Sequence, residues 1–406
     1  MTFIVQKFGG TSVGDIKRIQ AVADKIIEER KRGNAVLAVV SAMAGETNRL
    51  LKLASEMSEA PQPLHQDVLV STGEQVTVAL LCMALENKGY TAEPFLGHQA
   101  GIVTDEHHGK ARIRRIDTDR IRHILKKEGI PVVAGFQGVT EAGAITTIGR
   151  GGSDTTAVAL AAALNADRCD IYTDVKGVYT ADPRICANAR LLKTVSYEEM
   201  LELADAGAKV LHSRSVEIAA KHKVKLRVLS SFEDGAGTEI VTEDQLMEDI
   251  LVSGVTLNID EAKIAIRQVP DKPGITAQIF KPLSDAGINV DMIVQNVSKE
   301  GLTDLTFTVP KQDLKQSMLI AEAVAADTGA GKVEMASDIA KISVVGVGMR
   351  THAGVAYKMF RTLADEGISV HMISTSEIKV SIVIDAKCAE LVVRALHSAF
   401  ELDQKK

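Results

Sequence analysis

Three segments hold the side chains best suited to handling anions. The first, Lys7-Phe8-Gly9-Gly10-Thr11-Ser12, closes a short apolar run. Paired glycines let the backbone come close to an anion with N–H groups aimed at phosphate oxygens, and an adjacent lysine adds a point charge. The second, Gly149-Arg150-Gly151-Gly152-Ser153-Asp154, directly precedes an alanine-rich helical stretch. A helix N-terminus attracts anions through its amides and dipole, and an arginine there can hold a carboxylate in a two-pronged grip. The third, Thr173-Asp174-Val175-Lys176-Gly177-Val178-Tyr179-Thr180-Ala181-Asp182-Pro183, follows an apolar run and is dense in turn residues. Loops of that kind often carry ligands. Ser41 ends a further apolar run, and Glu74 in Ser71-Thr72-Gly73-Glu74 opens a helix. Taken singly, each has a plain reading: a tight turn, a first-turn carboxylate, an ordinary loop. None is a Walker phosphate loop; the nearest approach, Gly329-Ala330-Gly331-Lys332, has Ala326 and Val333 at the two positions that pattern requires to be Gly and Ser or Thr.

The elements that must position these residues alternate between strand and helix. Phe3–Phe8, Ala35–Val40, Ile130–Ala134, Cys169–Thr173 and Leu226–Leu229 are apolar runs suited to strands covered on both faces. Residues 15–32, 73–88, 117–128 and 153–164 have helical spacing. Such alternation predicts an α/β sandwich with a largely parallel central sheet, whose ligand sites gather at the carboxyl ends of the strands. Apolar residues make up 46% of the 406 and charged residues 25%, ordinary for a globular chain, and the net charge of −6 argues against a nucleic-acid binder. The basic run 110–115 reads as a solvated strand or loop. Four scattered cysteines form no CxxC pair, so neither a metal site nor a disulfide framework is expected. No run approaches the roughly 18 unbroken apolar residues of a membrane span, and a cytoplasmic protein with no membrane partner is expected.

Composition changes near 232–249, and an internal repeat follows. Shifting the chain by 80 residues aligns Gly274–Ile293 with Gly354–Ile373, with nine of twenty positions identical. Each copy reads strand, glycine loop, helix, glycine turn, strand, then a further strand and helix. Two ferredoxin-like βαββαβ units are the predicted result. The expected division is 1–240, a linker and strand at 241–263, then 264–337 and 338–406.

In order and spacing, Lys7–Val13, Ser41-Ala42-Met43, Ser71–Glu74, Gly149–Asp154, Thr173–Pro183 and Gly207-Ala208-Lys209-Val210-Leu211-His212 resemble the aspartate kinase family of the amino-acid kinase superfamily. The C-terminal repeat resembles that family's paired ACT domains, so the likeness covers nearly the whole chain. It implies phosphorylation of the β-carboxylate of aspartate by ATP with Mg2+. Lys7 and Asp154 are then catalytic. Substrate binding falls to Ser41, Thr47, Glu74, Arg150, Gly151, Gly152 and Ser153: Arg150 grips the α-carboxylate and Glu74 pairs with the α-ammonium. ATP falls to Lys7, Gly9, Gly10, Thr173, Asp174, Tyr179, Asp182 and Lys209, with Gly9 and Gly10 donating from the backbone. No protein metal ligand is assigned. Ser213 stands where the family usually has Pro, and Lys176 where Asp is common. A carboxylate with a pKa of about 4 is already ionised at pH 7, so no general base is needed, and the absence of a catalytic histidine fits.

For the repeat, the resemblance implies feedback by lysine, threonine or both. The effector residues would be Asp271, Gly274, Ile275, Thr276, Ala277, Asn289, Asp291, Gln295, His352 and Glu377. Carboxylates at 271 and 291 would accept an effector ammonium, and helix N-terminal amides its carboxylate. The second copy has Thr351, Ser369 and His371 instead, so the copies are not equivalent. The repeats would join subunits of a homo-oligomer, and Met247 is placed for an internal start giving a separate regulatory subunit. A sister kinase of glutamate, acetylglutamate or UMP, and an amino-acid-binding regulator with a dead kinase half, are the alternatives. No dehydrogenase-like stretch follows the second repeat, so a bifunctional fusion is not expected.

Overall fold

The computed structural model describes residues 2–208, 210–245, 251–297, 301–350, 352 and 354–404. Lys209, Met247 and Thr351 lie outside them. The chain divides into two compact units.

In the first unit, β1 (Phe3–Phe8), α1 (Ile16–Lys31) and β2 (Ala35–Val40) begin the strand–helix alternation. Asp15 starts α1 by accepting the Arg18 N–H at 2.9 Å. Helices α2 (Glu46–Met57), α3 (Pro63–Val70) and α4 (Thr72–Glu86) lead to β3 (Ala92–Phe95), β4 (Ile102–Thr104) and β5 (Ile113–Ile116). Then come α5 (Asp119–Lys126), β6 (Ile130–Ala134), β7 (Gln137–Val139), β8 (Ile145–Thr147), α6 (Gly152–Leu164) and β9 (Arg168–Thr173). The unit ends with β10 (Thr194–Ser196), α7 (Tyr197–Asp205), α8 (Ser213–His222), β11 (Leu226–Ser230) and β12 (Thr238–Val241). Eight strands form the central sheet in the order β10-β12-β11-β9-β1-β2-β6-β3, parallel except where β11 meets β12. The central strands bury almost every residue because helices cover both faces, which is why they read as largely apolar runs. A smaller sheet, β5-β4-β7-β8, flanks it. The basic run falls partly on β5, where Arg115 pairs with Glu141 and Arg114 with Asp105. The helical stretch Pro63–Glu86 is long and apolar enough by composition to cross a membrane. Half of it is buried within the protein, where α4 packs on α1, β3 and β6 and also buries Glu74 and Thr77.

The second unit opens with β13 (Gly254–Asn258). The first repeat is β14 (Glu261–Pro270), α9 (Ile275–Asp285), β15 (Ile293–Val297), β16 (Leu302–Pro310), α10 (Leu314–Thr328) and β17 (Val333–Ala336). Its strand order β15-β16-β14-β17 is that of a ferredoxin-like βαββαβ unit. The second repeat is β18 (Ile339–Val345), α11 (Val355–Asp365), β19 (Met372–Thr375), β20 (Lys379–Asp385) and α12 (Ala389–Ala399). Here the structure departs from two complete copies. The fourth strand beside β18 is β13, paired antiparallel from Gly254↔Val345 to Asn258↔Lys341. The edge that a strand after α12 would occupy is thus filled by one that precedes the first repeat. Two segments within the expected kinase region, Thr180–Arg190 and Ala206–Ala208, also belong to this unit.

Candidate active site

Lys7 sits one residue from the end of β1, between Val39 of β2 and Ile171 of β9, so it emerges at the carboxyl edge of the sheet's centre. Its Nζ lies 2.5 Å from Asp154 Oδ1 in the first turn of α6, and both side chains are about nine-tenths buried. Asp154 Oδ1 has no hydrogen bond of proper angle, so the pair is held by charge and packing. The chain after Lys7 turns sharply against the loop after β2: a Cβ on Gly10 would come within 2.9 Å of the Ala42 carbonyl oxygen, which only glycine avoids.

Glu74 reaches the site from the first turn of α4 and is 3% exposed. One carboxylate oxygen accepts the Ala42 N–H at 3.1 Å, while the other is buried without a partner. Burial pushes its pKa up to about 7, against the pull of its backbone hydrogen bonds. A buried oxygen without a donor beside a cavity is suited to an incoming cation such as an ammonium.

The Gly149–Asp154 segment is shaped by Gly151, at φ +69° and capping α6. A Cβ there would fall 2.3 Å from the His212 ring, so this residue type is dictated twice. Arg150 beside it is exposed, with its guanidinium available at the cavity mouth. One cavity of about 310 Å³ is lined by Lys7, Gly10, Ser41, Thr47, Glu74 and the whole run Gly149 to Asp154. All of the expected substrate-side residues therefore meet in one place.

Asn48 and Phe136 also line the cavity and were not anticipated. Asn48 sits one residue from Thr47, and Phe136 has φ +69°, a left-handed conformation unusual for a bulky side chain.

The nucleotide-side residues are more dispersed. Gly9 is close to Lys7, but its N–H is already given to the Tyr172 carbonyl at 3.2 Å rather than turned toward the cavity. Thr173 ends β9 and its hydroxyl donates to the Asp174 carboxylate at 3.2 Å. Tyr179 forms a lone bridge with Leu191. Asp182 lies in the second unit, where Arg184 grips it at 2.7 Å and lowers its pKa. None of these lines the 310 Å³ cavity.

In the second unit, Gly274 at φ +89° caps α9, followed by buried Ile275 and by Thr276, whose hydroxyl is 3.4 Å from Gln295 Oε1. Asp271, Ala277, Asn289 and Asp291 are exposed. Asp291 already has a cation: the ammonium of Lys341 on β18, which also pairs with Glu261 at 2.6 Å. His352 contacts the Gly348 carbonyl and Glu377 pairs with Arg350. In the second copy, His371 pairs with Asp385 instead.

Comparison with known proteins agrees with this geometry. The model of the amino acid kinase family matches residues 2–230, and ACT domain models match 264–326 and 342–400. An aspartate kinase of Stutzerimonas stutzeri (strain A1501) is 56% identical over 404 residues, covering 99% of this chain and 98% of that protein. The chain belongs to the aspartate kinases. The aspartokinase of Pseudomonas aeruginosa is likewise 56% identical, over 405 residues covering 99% of this chain and 98% of that protein. Among solved structures, Escherichia coli aspartokinase III in complex with aspartate and ADP matches with a TM-score of 0.81 at 27% identity, covering 98% of this chain and 99% of that one. The aspartate kinase of Synechocystis is 43% identical with a TM-score of 0.55, covering 98% of this chain and 69% of that one.

An aspartate kinase must bring an anionic acceptor to an anionic triphosphate, and this cavity carries the charges for that. It offers a buried lysine, an exposed arginine, a helix N-terminus and an unsatisfied carboxylate oxygen.

Proposed function

We propose that the chain transfers the γ-phosphoryl group of ATP to the β-carboxylate of L-aspartate, giving 4-phospho-L-aspartate and ADP. The observation that carries this reading is the single cavity shared by Lys7, Glu74 and Arg150. Arg150 holds the α-carboxylate, and Glu74 takes the α-ammonium on its unpartnered oxygen. That fixes the β-carboxylate as the free nucleophile. Its oxygen attacks the γ-phosphorus while the bond to the ADP oxygen breaks, with no proton to move. Lys7 meets the charge spread over the transferring group, and Asp154 holds the lysine at the end of β1. Thr47, Ser41, Ser153 and the amides of Gly151 and Gly152 complete the substrate wall. Thr173, Asp174 and Tyr179 face the nucleotide, with Lys209 and Asp182 as further contacts. The E. coli structure with aspartate and ADP supports the choice of substrates.

Mg2+ would enter on the phosphates of ATP and neutralise part of their charge. We assign the ACT repeats to feedback by lysine, threonine or both and to subunit association. Another E. coli structure, of aspartokinase III with lysine and aspartate, supports an amino-acid effector. The product would start the route to lysine, threonine and methionine, and the substrates place the reaction in the cytoplasm. The test is incubation with MgATP, hydroxylamine and aspartate, glutamate or UMP in turn. Aspartyl hydroxamate with matching ADP is the expected result, and no aspartate-dependent ADP release refutes the reading.

A further inference from the structure

The loop Thr173–Pro183, read above as the nucleotide loop, is divided within itself: it passes from the first unit to the second at the Tyr179–Thr180 bond. Thr180 is 1% exposed, and each of its polar atoms is bonded inside the second unit. Its N–H donates to the Arg190 carbonyl at 2.9 Å, and its carbonyl accepts the Val255 N–H of β13 at 2.8 Å. Its hydroxyl oxygen accepts the Arg190 N–H at 2.9 Å and lies 2.9 Å from His397 Nε2 on α12. The hydroxyl and Nε2 share one hydrogen bond, in which either the hydroxyl or the imidazole N–H donates. Burial pushes the His397 pKa below the usual imidazole value, against the opposing charge of Asp403, which favours the neutral ring. Ala181 and Cys186 extend the anchor into the apolar core that contains Val255, Val392 and Leu396. The other segment assigned to this unit, Ala206–Ala208, packs on the same strand: a Cβ on Gly207 would come within 2.7 Å of the Leu257 carbonyl oxygen.

We propose that Thr180 and His397 are positioning residues for the nucleotide, fixing the end of the nucleotide loop from within the regulatory fold. They touch no reacting atom. The hydroxyl–imidazole bond sets where Thr180 sits on β13, and Tyr179 is one peptide bond away. The apolar packing of Ala181 and Cys186 beside them needs neither a hydroxyl at 180 nor an imidazole at 397. The inference rests on the reading of Thr173–Pro183 as the nucleotide loop.

The test uses the full chain with Thr180→Val, which keeps the shape and removes the hydroxyl, Thr180→Ser, which restores it, His397→Leu, and Asp174→Ala as a reference. Thr180→Val and His397→Leu are expected to raise the KM for ATP about tenfold, the size of effect when a buried acceptor or donor loses its partner, with the KM for aspartate nearly unchanged. Thr180→Ser is expected to behave as wild type. The inference is overturned if Thr180→Val leaves the KM for ATP unchanged while Asp174→Ala raises it. It is also overturned if Thr180→Val lowers the melting temperature and kcat and shifts both KM values alike. If Asp174→Ala has no effect on the KM for ATP, the nucleotide-loop reading falls, and the anchor with it.

Discussion

Two buried carboxylates at the cavity are held in opposite ways, and each makes a separate prediction. Asp154 is paired with Lys7 at 2.5 Å, so its charge is compensated within the protein. In the proposed reaction, Lys7→Ala removes the cation that meets the transferring phosphoryl group. A loss of at least about a hundredfold in kcat is expected, comparable to removing one preorganised donor from an oxyanion site, with unchanged circular dichroism. Near-normal turnover would remove Lys7 from the mechanism. Glu74 has no cation of its own, and burial raises its pKa to about 7. Only its ionised form attracts the α-ammonium, so the KM for aspartate should climb as pH falls below about 7, and Glu74→Gln should be weak and nearly pH-independent. A pH-independent KM in the wild type would show that Glu74 is not the ammonium partner. The same shift has a stability consequence of definite sign. A carboxyl whose folded pKa lies above its unfolded value favours folding below about pH 4.5 and loses that contribution as pH rises through 7. The uncomplexed enzyme therefore carries a cost of order 3 kcal/mol at pH 8, which Glu74→Gln should relieve in a melting experiment. That cost is the ordinary price of a binding group held ready in a dry site.

At the scale of elements, the substrate site depends on how closely the start of α6 approaches its neighbours. Gly151 at φ +69° sits against the His212 ring with no room for a methyl group. Gly151→Ala should lower the free energy of unfolding by about 1–3 kcal/mol and displace Arg150, raising the KM for aspartate more than that for ATP. An unchanged KM for aspartate would mean that Arg150 finds its position without this cap. This region also shows what was readable in the chain. Phe3–Phe8, Ala35–Val40 and Leu226–Leu229 were legible because a strand buried on both faces is mostly apolar. The cavity was legible because its glycines and charges stand directly at the ends of those strands. A strand within 241–263 was expected and β13 lies there, but its pairing was not legible, since its partner β18 lies beyond the whole first repeat and five residues carry no sign of such a distant pairing. Phe136 escaped because its role follows from a backbone angle rather than from its side chain. Thr180 and His397 escaped because a bond across 217 residues leaves no local pattern.

Across the regulatory fold as a whole, the two repeats are tied by a charge cluster, and its asymmetry decides what an effector can do. Lys341 of the second repeat is 5% exposed and meets Glu261 and Asp291 of the first. Burial opposes its charge, but the two carboxylates outweigh that and hold its pKa above that of an ordinary lysine. Glu261 is also enclosed at 8% exposure, whereas Asp291 is 48% exposed. An amino-acid ammonium arriving from solvent can therefore take Asp291 while Glu261 still compensates Lys341, so no buried charge is stranded. Lys341→Met lacks that safeguard: it leaves Glu261 without its cation and should cost about 3–5 kcal/mol in a denaturant melt. Asp291→Asn should melt close to wild type yet respond to lysine or threonine only at much higher concentration. If Asp291→Asn keeps the wild-type half-saturation for whichever amino acid inhibits, the effector's ammonium is bound elsewhere and the cluster only joins the repeats.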